Sequence, residues 1–301
     1  MLNREKTRQV TCAAIAGGLM LLIGASLACA DIINVPDDYP TIQEAIDAAE
    51  DGDEIIVAPG TYPEAIDLLG KAVWLHSSDG PDVTTIEATG LGSAAVTCAN
   101  LEADDTVFEG FTVTGGDPGM FIQYSYPTVM DCVFSDNEGD GMFCLAADPA
   151  LTDCQFTANS GAGMFNEASS PVLGDCHFSE NTASGMHNYS FTNATLTNCT
   201  FTANSARHDG GGMRNDVHSS PALTSCVFTA NVATSPYPPY AYGGGIANGN
   251  DSNPTLTNCT FVGNTSPRGA GMYNHNSSPA LVNCNFTSNP ATSWGGGHVQ
   301  L

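Results

Sequence analysis

The chain has 301 residues, with 32 acidic side chains against seven basic ones and a formal net charge of −25. So acidic a surface repels nucleic acid and anionic membranes, and it repels polyanionic glycans unless a cation bridges them. Neutral or cationic partners fit the composition better, although acidity also serves plain solubility.

Residues 1–30 have the layout of a secretion signal: Arg4, Lys6 and Arg8 open it, an apolar run spans Val10 to Leu27, and Ala28-Cys29-Ala30 precedes Asp31. Ser26, Leu27 and Ala28 match a lipoprotein pattern around Cys29 poorly. The apolar run is too short and wrongly flanked to span a bilayer, and no later stretch is long enough. A secreted, extracellular or cell-surface protein is expected, with no membrane span once the signal is removed. Its remaining basic residues are Lys71, Arg207, Arg214 and Arg268.

From Asp31 the chain is predicted to form one domain to residue 301: an N-terminal cap over 31–52, irregular coils over 53–116 and regular repeats over 117–301. Thr41-Ile-Gln-Glu44 is a capping box, and Ile42, Ala45, Ile46 and Ala49 mark one face of a short helix that plugs the open N-terminal end of the coils. Strand-like stretches at Glu54–Ala58, Val73–Leu75, Thr85–Ala88 and Ala94–Cys98 are separated by turns such as Pro59-Gly60 and Gly80-Pro81.

The repeat in the rest of the chain has a period of 22 residues, stretched to 33 where loops intervene. Cysteine marks it at Cys132, Cys154, Cys176, Cys199, Cys226, Cys259 and Cys284. Phenylalanine stands two residues later, asparagine five later (Asn137 through Asn289), and an aliphatic residue three earlier. Each unit also carries a Gly-Met or Gly-Ile step, with a second asparagine series at Asn166, Asn188, Asn215, Asn248 and Asn274. Twenty-two residues are too few for a strand–helix–strand crossover, yet enough for two or three short strands joined by turns. Stacked in register, such units place like on like about 4.8 Å apart. The fold class predicted is all-β, a right-handed parallel β-helix with a short N-terminal capping helix. The cysteines then serve as small buried residues rather than disulfides, and the asparagines satisfy buried bends through ladders of hydrogen bonds. The end at Leu301, part-way through a turn, points to a truncated reading frame, with docking of the open face on missing sequence or another subunit as the alternative.

Two resemblances attach to these residues. Ile33-Asn-Val-Pro-Asp-Asp-Tyr-Pro-Thr-Ile-Gln-Glu-Ala-Ile-Asp-Ala-Ala-Glu50, followed by Gly52-Asp-Glu-Ile-Ile-Val-Ala-Pro-Gly-Thr-Tyr62, resembles the cap and first coils of the pectin-lyase-like superfamily. The later units, with Phe156-Thr-Ala-Asn159 beside Gly210–Met213, are similar to repeats of bacterial polymorphic outer-membrane proteins, which are adhesin-like. This architecture hosts lyases, hydrolases, esterases, adhesins and inert spacers, so the resemblance implies the fold and leaves the activity open.

Outward positions beside the Gly-Met step supply the candidate site. One residue after it come Phe121, Phe143, Phe165, His187, Arg214, Ala247 and Tyr273; three after it come Gln123, Leu145, Glu167, Tyr189, Asp216, Gly249 and His275. Loops confined to the late coils, Ser205–Gly211, Val232–Gly243 and Thr265–Gly269, add Tyr237, Tyr240 and Tyr242, with Arg207, His208 and Asp209 on a neighbouring loop. Phe143, Phe165, Tyr189, Tyr237, Tyr240, Tyr242 and Tyr273 are candidate contacts for sugar rings. Glu167, His187, Arg214 and Asp216 are candidate catalytic groups. Glu167 and Asp216 stand two coils apart, about 9.6 Å between backbones, near the separation of an inverting glycosidase. Against catalysis, no Arg-x-Lys, Gly-His-Gly or Asn-Thr-Asp of the polygalacturonase type is present. Nor is a cofactor expected: Asp136-x-Glu138-x-Asp140-Gly141 superficially resembles a calcium loop, but its twelfth position is Ala147.

The primary expectation is therefore a non-catalytic module that binds a polysaccharide or a cell-surface glycan. A carbohydrate-active enzyme, lyase or hydrolase, is the alternative, and a spacer fragment of a longer surface protein is a third.

Overall fold

The computed structural model describes residues 30–235, 241–294 and 298–300. Three parallel sheets run along a right-handed β-helix, each named here for its inward ladder. The leucine sheet has eleven strands, from Ile32–Val35 to Ala280–Val282; the phenylalanine sheet has ten, from Gly60–Tyr62 to Asn285–Thr287; the methionine sheet has ten, from Ile66–Asp67 to His298–Gln300. Pairing follows the repeat: Leu151 opposes Leu173, Phe156 opposes Phe178 and Met164 opposes Met186.

The coil is short because it bends sharply between sheets. Between the leucine and phenylalanine strands stands a residue of positive φ, at Asp131, Asp153, Asp175, Asn198, Ser225, Asn258 and Asn283. Asp and Asn tolerate this left-handed conformation better than most side chains, which is why they recur there. The repeat cysteine stands next at the corner itself, and the phenylalanine strand begins one residue later.

Inside, rings stack from Phe134 through Phe156, Phe178, Phe201, Phe228 and Phe261 to Phe286, with centroids 4.4–5.0 Å apart and planes within 10°. At the next bend the first asparagine ladder is fully engaged. Asn204 Oδ1 accepts from both Asn181 N and Asn181 Nδ2, while its own Nδ2 donates to Phe178 O and Asn231 Oδ1. The second ladder runs from Asn166 to Asn274 by single Nδ2-to-Oδ1 bonds of 2.7–3.0 Å. It starts at Asn166 because Cys144 occupies the preceding rung and offers no amide, and Asn166 Oδ1 is accordingly buried without a donor.

The cap helix is Ile42–Ala48, with Ile42, Ala45 and Ile46 buried against the first coils. Thr41 Oγ1 accepts from Glu44 N, as a capping box requires, but Glu64 takes the next free donors, Ile42 N and Gln43 N. At the other end Lys71 Nζ donates to the carbonyls of Ile46, Asp47 and Ala49. The cap segment also supplies the first strand of the leucine sheet, Ile32–Val35, so the solenoid starts ahead of the boundary expected near residue 53.

Candidate functional site

The outward columns of the methionine sheet are in register. Phe121, Phe143, Phe165, His187, Arg214, Ala247 and Tyr273 are successive partners, and beside them run Gln123, Leu145, Glu167, Tyr189 and Asp216. Gly249 and His275 lie just beyond the ends of their strands.

The late insertions do not behave as independent loops. Ser205–Ala206 pairs with Val232–Ala233, Ser266–Arg268 pairs with Ala291–Trp294, and isolated parallel bridges join Asp209 to Tyr242 and Tyr242 to Arg268. The described parts of these insertions stack coil on coil into a wall beside the methionine sheet. Between wall and sheet lies a cleft of about 300 Å³ lined by Asp209, Arg214, Asp216, Tyr242, Tyr273 and His275. A recess of about 210 Å³ opens on the other side of Arg214, lined by Asp140, Phe165, His187, Arg207, His208 and Asp209. Asp209 and Arg214 line both, so the two form one groove divided at that pair.

Its charges are tightly arranged. Arg214 Nε donates to Asp216 Oδ2 at 2.6 Å, and His187 Nε2 lies 3.9 Å from the same oxygen. Burial acts to raise the Asp216 carboxyl, but His187 and Arg214 prevail and hold it below its ordinary range. For His187, burial outweighs the pull of Asp216 and lowers its affinity for a proton; its Nε2 is buried with no hydrogen-bond partner. Asp209 is shifted the other way, raised chiefly by burial and further by the charge of Asp216, against the opposing effect of Arg214. The groove thus holds one carboxyl biased toward its protonated form and one biased toward its ionised form.

The candidates fare differently. His187, Arg214 and Asp216 come together. Glu167 keeps the predicted place two coils from Asp216, with Tyr189 between them, but it lines neither part of the groove, where Asp209 is the second carboxyl. Asp209 lies outside the repeat, on the insertion, and only the stacking of that insertion on Tyr242 brings it over the sheet. Tyr273, a candidate to present its ring to a sugar, is only 6% exposed, because Tyr242 stacks on it at 4.4 Å. Tyr242 is therefore the accessible ring, with the Arg268 guanidinium 5.7 Å from its centroid. Phe143 packs between Phe121 and Phe165 at 5.5 and 5.1 Å, and Phe165 meets His187 edge-on at 4.8 Å. Tyr189 is 38% exposed beside His187. Tyr237 and Tyr240 lie outside the described residues. In the turn that superficially resembles a calcium loop, Asp140 accepts from Ala162 N at 2.6 Å.

A solenoid of stacked three-sheet coils, with a groove walled by insertions on one face, is the architecture of the parallel β-helix proteins. The family described as right handed beta helix region matches residues 71–228 and 173–299, and this chain belongs to it. Pectate lyase Pel9A is similar in structure, with TM-score 0.56 and 15% identity over 84% of this chain and 76% of that one. ORF18 of Geobacillus virus E2 matches with TM-score 0.59 and 14% identity over 85% of this chain, which spans 60% of that protein. A pectin methylesterase from Aspergillus niger gives TM-score 0.48 at 14% identity, over 86% and 87% of the two chains. No curated protein matches in sequence. At such identities the first two likenesses speak for the fold alone.

Proposed function

We propose that this chain is a secreted or cell-surface β-helix that binds an acidic glycan in the groove over its methionine sheet. The placement of its basic residues carries the reading. Of the four beyond the predicted leader, Arg207 and Arg214 line the groove and Arg268 sits over Tyr242 at its wall, while Lys71 lies elsewhere, against the C-terminal end of the cap helix. In a molecule of net charge −25, that gathering favours a ligand bearing carboxylate or sulfate groups, which guanidinium groups bind well, and Tyr242 offers a ring face to a sugar. It replaces the neutral ligand that composition favours with an acidic one, on the gathering of guanidinium groups rather than on the sign of the local charge, since Asp140, Asp209 and Asp216 offset the arginines in formal charge. A pectate lyase of the same fold, and repeats resembling those of adhesin-like surface proteins, agree with glycan recognition at a cell surface.

The test is co-sedimentation and calorimetry of the mature protein with acidic and neutral polysaccharides, with and without calcium. Binding to the acidic chains, weakened about tenfold by Arg214→Gln, is expected, from a charge-assisted bond of roughly 1.5–3 kcal/mol. Equal binding to neutral glucans would remove the acidic part of the reading, and no binding at all would favour a spacer.

A second reading, a carbohydrate-active enzyme, is favoured by one observation: the opposite shifts of Asp209 and Asp216 are what an acid and base pair requires. New reducing ends or unsaturated uronate products in the same incubations, abolished by Asp209→Asn and by Asp216→Asn, would establish it. Binding without products leaves the display module.

A further inference from the structure

The repeat cysteines form a continuous column of thiols that neither the groove nor the packing requires to be sulfur. Cys132, Cys154, Cys176, Cys199, Cys226 and Cys259 are fully buried, and Cys284 ends the series half-buried. They stand directly above one another. The amide after each cysteine bonds to the carbonyl of the cysteine one coil before, from Gln155 N to Cys132 O at 2.8 Å through Asn285 N to Cys259 O at 2.9 Å. Each Sγ donates weakly to backbone carbonyls, as Cys154 does to Thr152 O at 3.4 Å and Val129 O at 3.5 Å.

A soft cation with linear coordination needs two thiolates facing each other across it. Metal–sulfur bonds of about 2.3 Å place those sulfurs about 4.6 Å apart, and the coil spacing is about 4.8 Å. Thiolates select soft ions of this kind over harder ones. We infer that the cysteine column is a binding site for soft, two-coordinate d10 cations, each held between the sulfurs of two adjacent coils. For a divalent ion the step balances simply: two S–H protons leave to solvent, two metal–sulfur bonds form, and the bis-thiolate product is neutral. Neutrality matters in this core, where an unpaired buried charge is prohibitive. Seven thiols in line provide three such pairs, and Cys98 and Cys144 provide none, because Ile122 occupies the rung between them.

The probe is Hg²⁺, added to the mature protein and monitored by native mass spectrometry and thiolate-to-metal ultraviolet absorption. Three ions per chain are expected, each displacing two protons, with a rise in Tm. Two triple variants remove equal numbers of thiols. Replacing Cys132, Cys154 and Cys176 by Ala leaves four adjacent rungs and two sites; replacing Cys154, Cys199 and Cys259 by Ala leaves four rungs with no neighbours and no site. Equal uptake by the two variants overturns the inference, as does failure of the folded wild type to take up metal. Should either variant fail to fold, X-ray absorption of the loaded wild type decides: two sulfur ligands per mercury support the site, and one sulfur with a light atom overturns it.

Discussion

A single asparagine in the first ladder closes four hydrogen bonds, so its removal separates the ladder's role from generic core packing. Asn204→Ala leaves Phe178 O, Asn181 N, Asn181 Nδ2 and Asn231 Oδ1 short of partners at a buried bend. Each orphaned buried group costs about 1–3 kcal/mol, so a loss of about 3 kcal/mol or more is expected in urea denaturation. A loss under about 1 kcal/mol would mean that the ladder relaxes around the gap. The groove carboxyls give a pH test of opposite sign. Asp216 has a depressed folded value, so its contribution is present above its unfolded value and is lost as pH falls through the folded one. Asp209 has a raised folded value, so its contribution is present below its unfolded value and is lost as pH rises through the folded one. Asp209→Asn should therefore raise Tm relative to wild type at pH 7.5, with the gain shrinking at pH 3.5, whereas Asp216→Asn should lower Tm at pH 7.5. Thermal melts at both pH values check it, and a gain for Asp209→Asn that is the same at both would contradict the shift. The sequence made His187, Arg214 and Asp216 visible because they occupy repeat positions. Asp209 was visible only as a residue of an insertion; its place over the sheet was not legible, because no periodicity reaches the insertion that carries it.

Glycine at the step before each methionine is a packing requirement of the coil. A Cβ on Gly212 would meet Gly245 O at 2.7 Å and the Phe228 ring at 2.7 Å, and the backbone atom cannot swing aside. Gly174, on the outer side of the leucine sheet, would meet nothing within 4 Å. Gly212→Ala should cost about 2 kcal/mol or more, as overpacking does, while Gly174→Ala should be neutral or slightly stabilising. Chemical denaturation of the pair checks this, and similar losses would show that strand flexibility, rather than contact between coils, sets the glycine requirement. Elements on the 22-residue period were legible, down to the partner of every repeat phenylalanine. The left-handed corners had a visible mark too, in the Asp, Asn or Ser before each cysteine, although the repeat pattern alone pointed only to the bend at the asparagine ladder. The insertions read as loops because Ser205–Ala206 and Val232–Ala233 acquire strand structure only from stacking on each other, across sequence separations that no local pattern records.

The whole molecule carries two electrostatic effects that respond oppositely to salt. The acids of the chain beyond the predicted leader repel one another across the solenoid surface, and this repulsion is relieved when the Debye length contracts from about 30 Å at 0.01 M to about 3 Å at 1 M. Tm should therefore rise steadily with NaCl over that range. Two arginines line the groove and a third sits over Tyr242 at its wall, and their attraction for an acidic glycan is weakened by the same screening. Affinity should then fall while stability rises. Were calcium bridging from the acidic surface to hold the ligand instead, binding would vanish with chelator and would survive Arg214→Gln. Measuring Tm and acidic-glycan affinity on one salt series, repeated with chelator and with Arg214→Gln, distinguishes the two: opposite slopes that persist with chelator and flatten in the variant require that the arginines, and not calcium on the acidic surface, recognise the ligand.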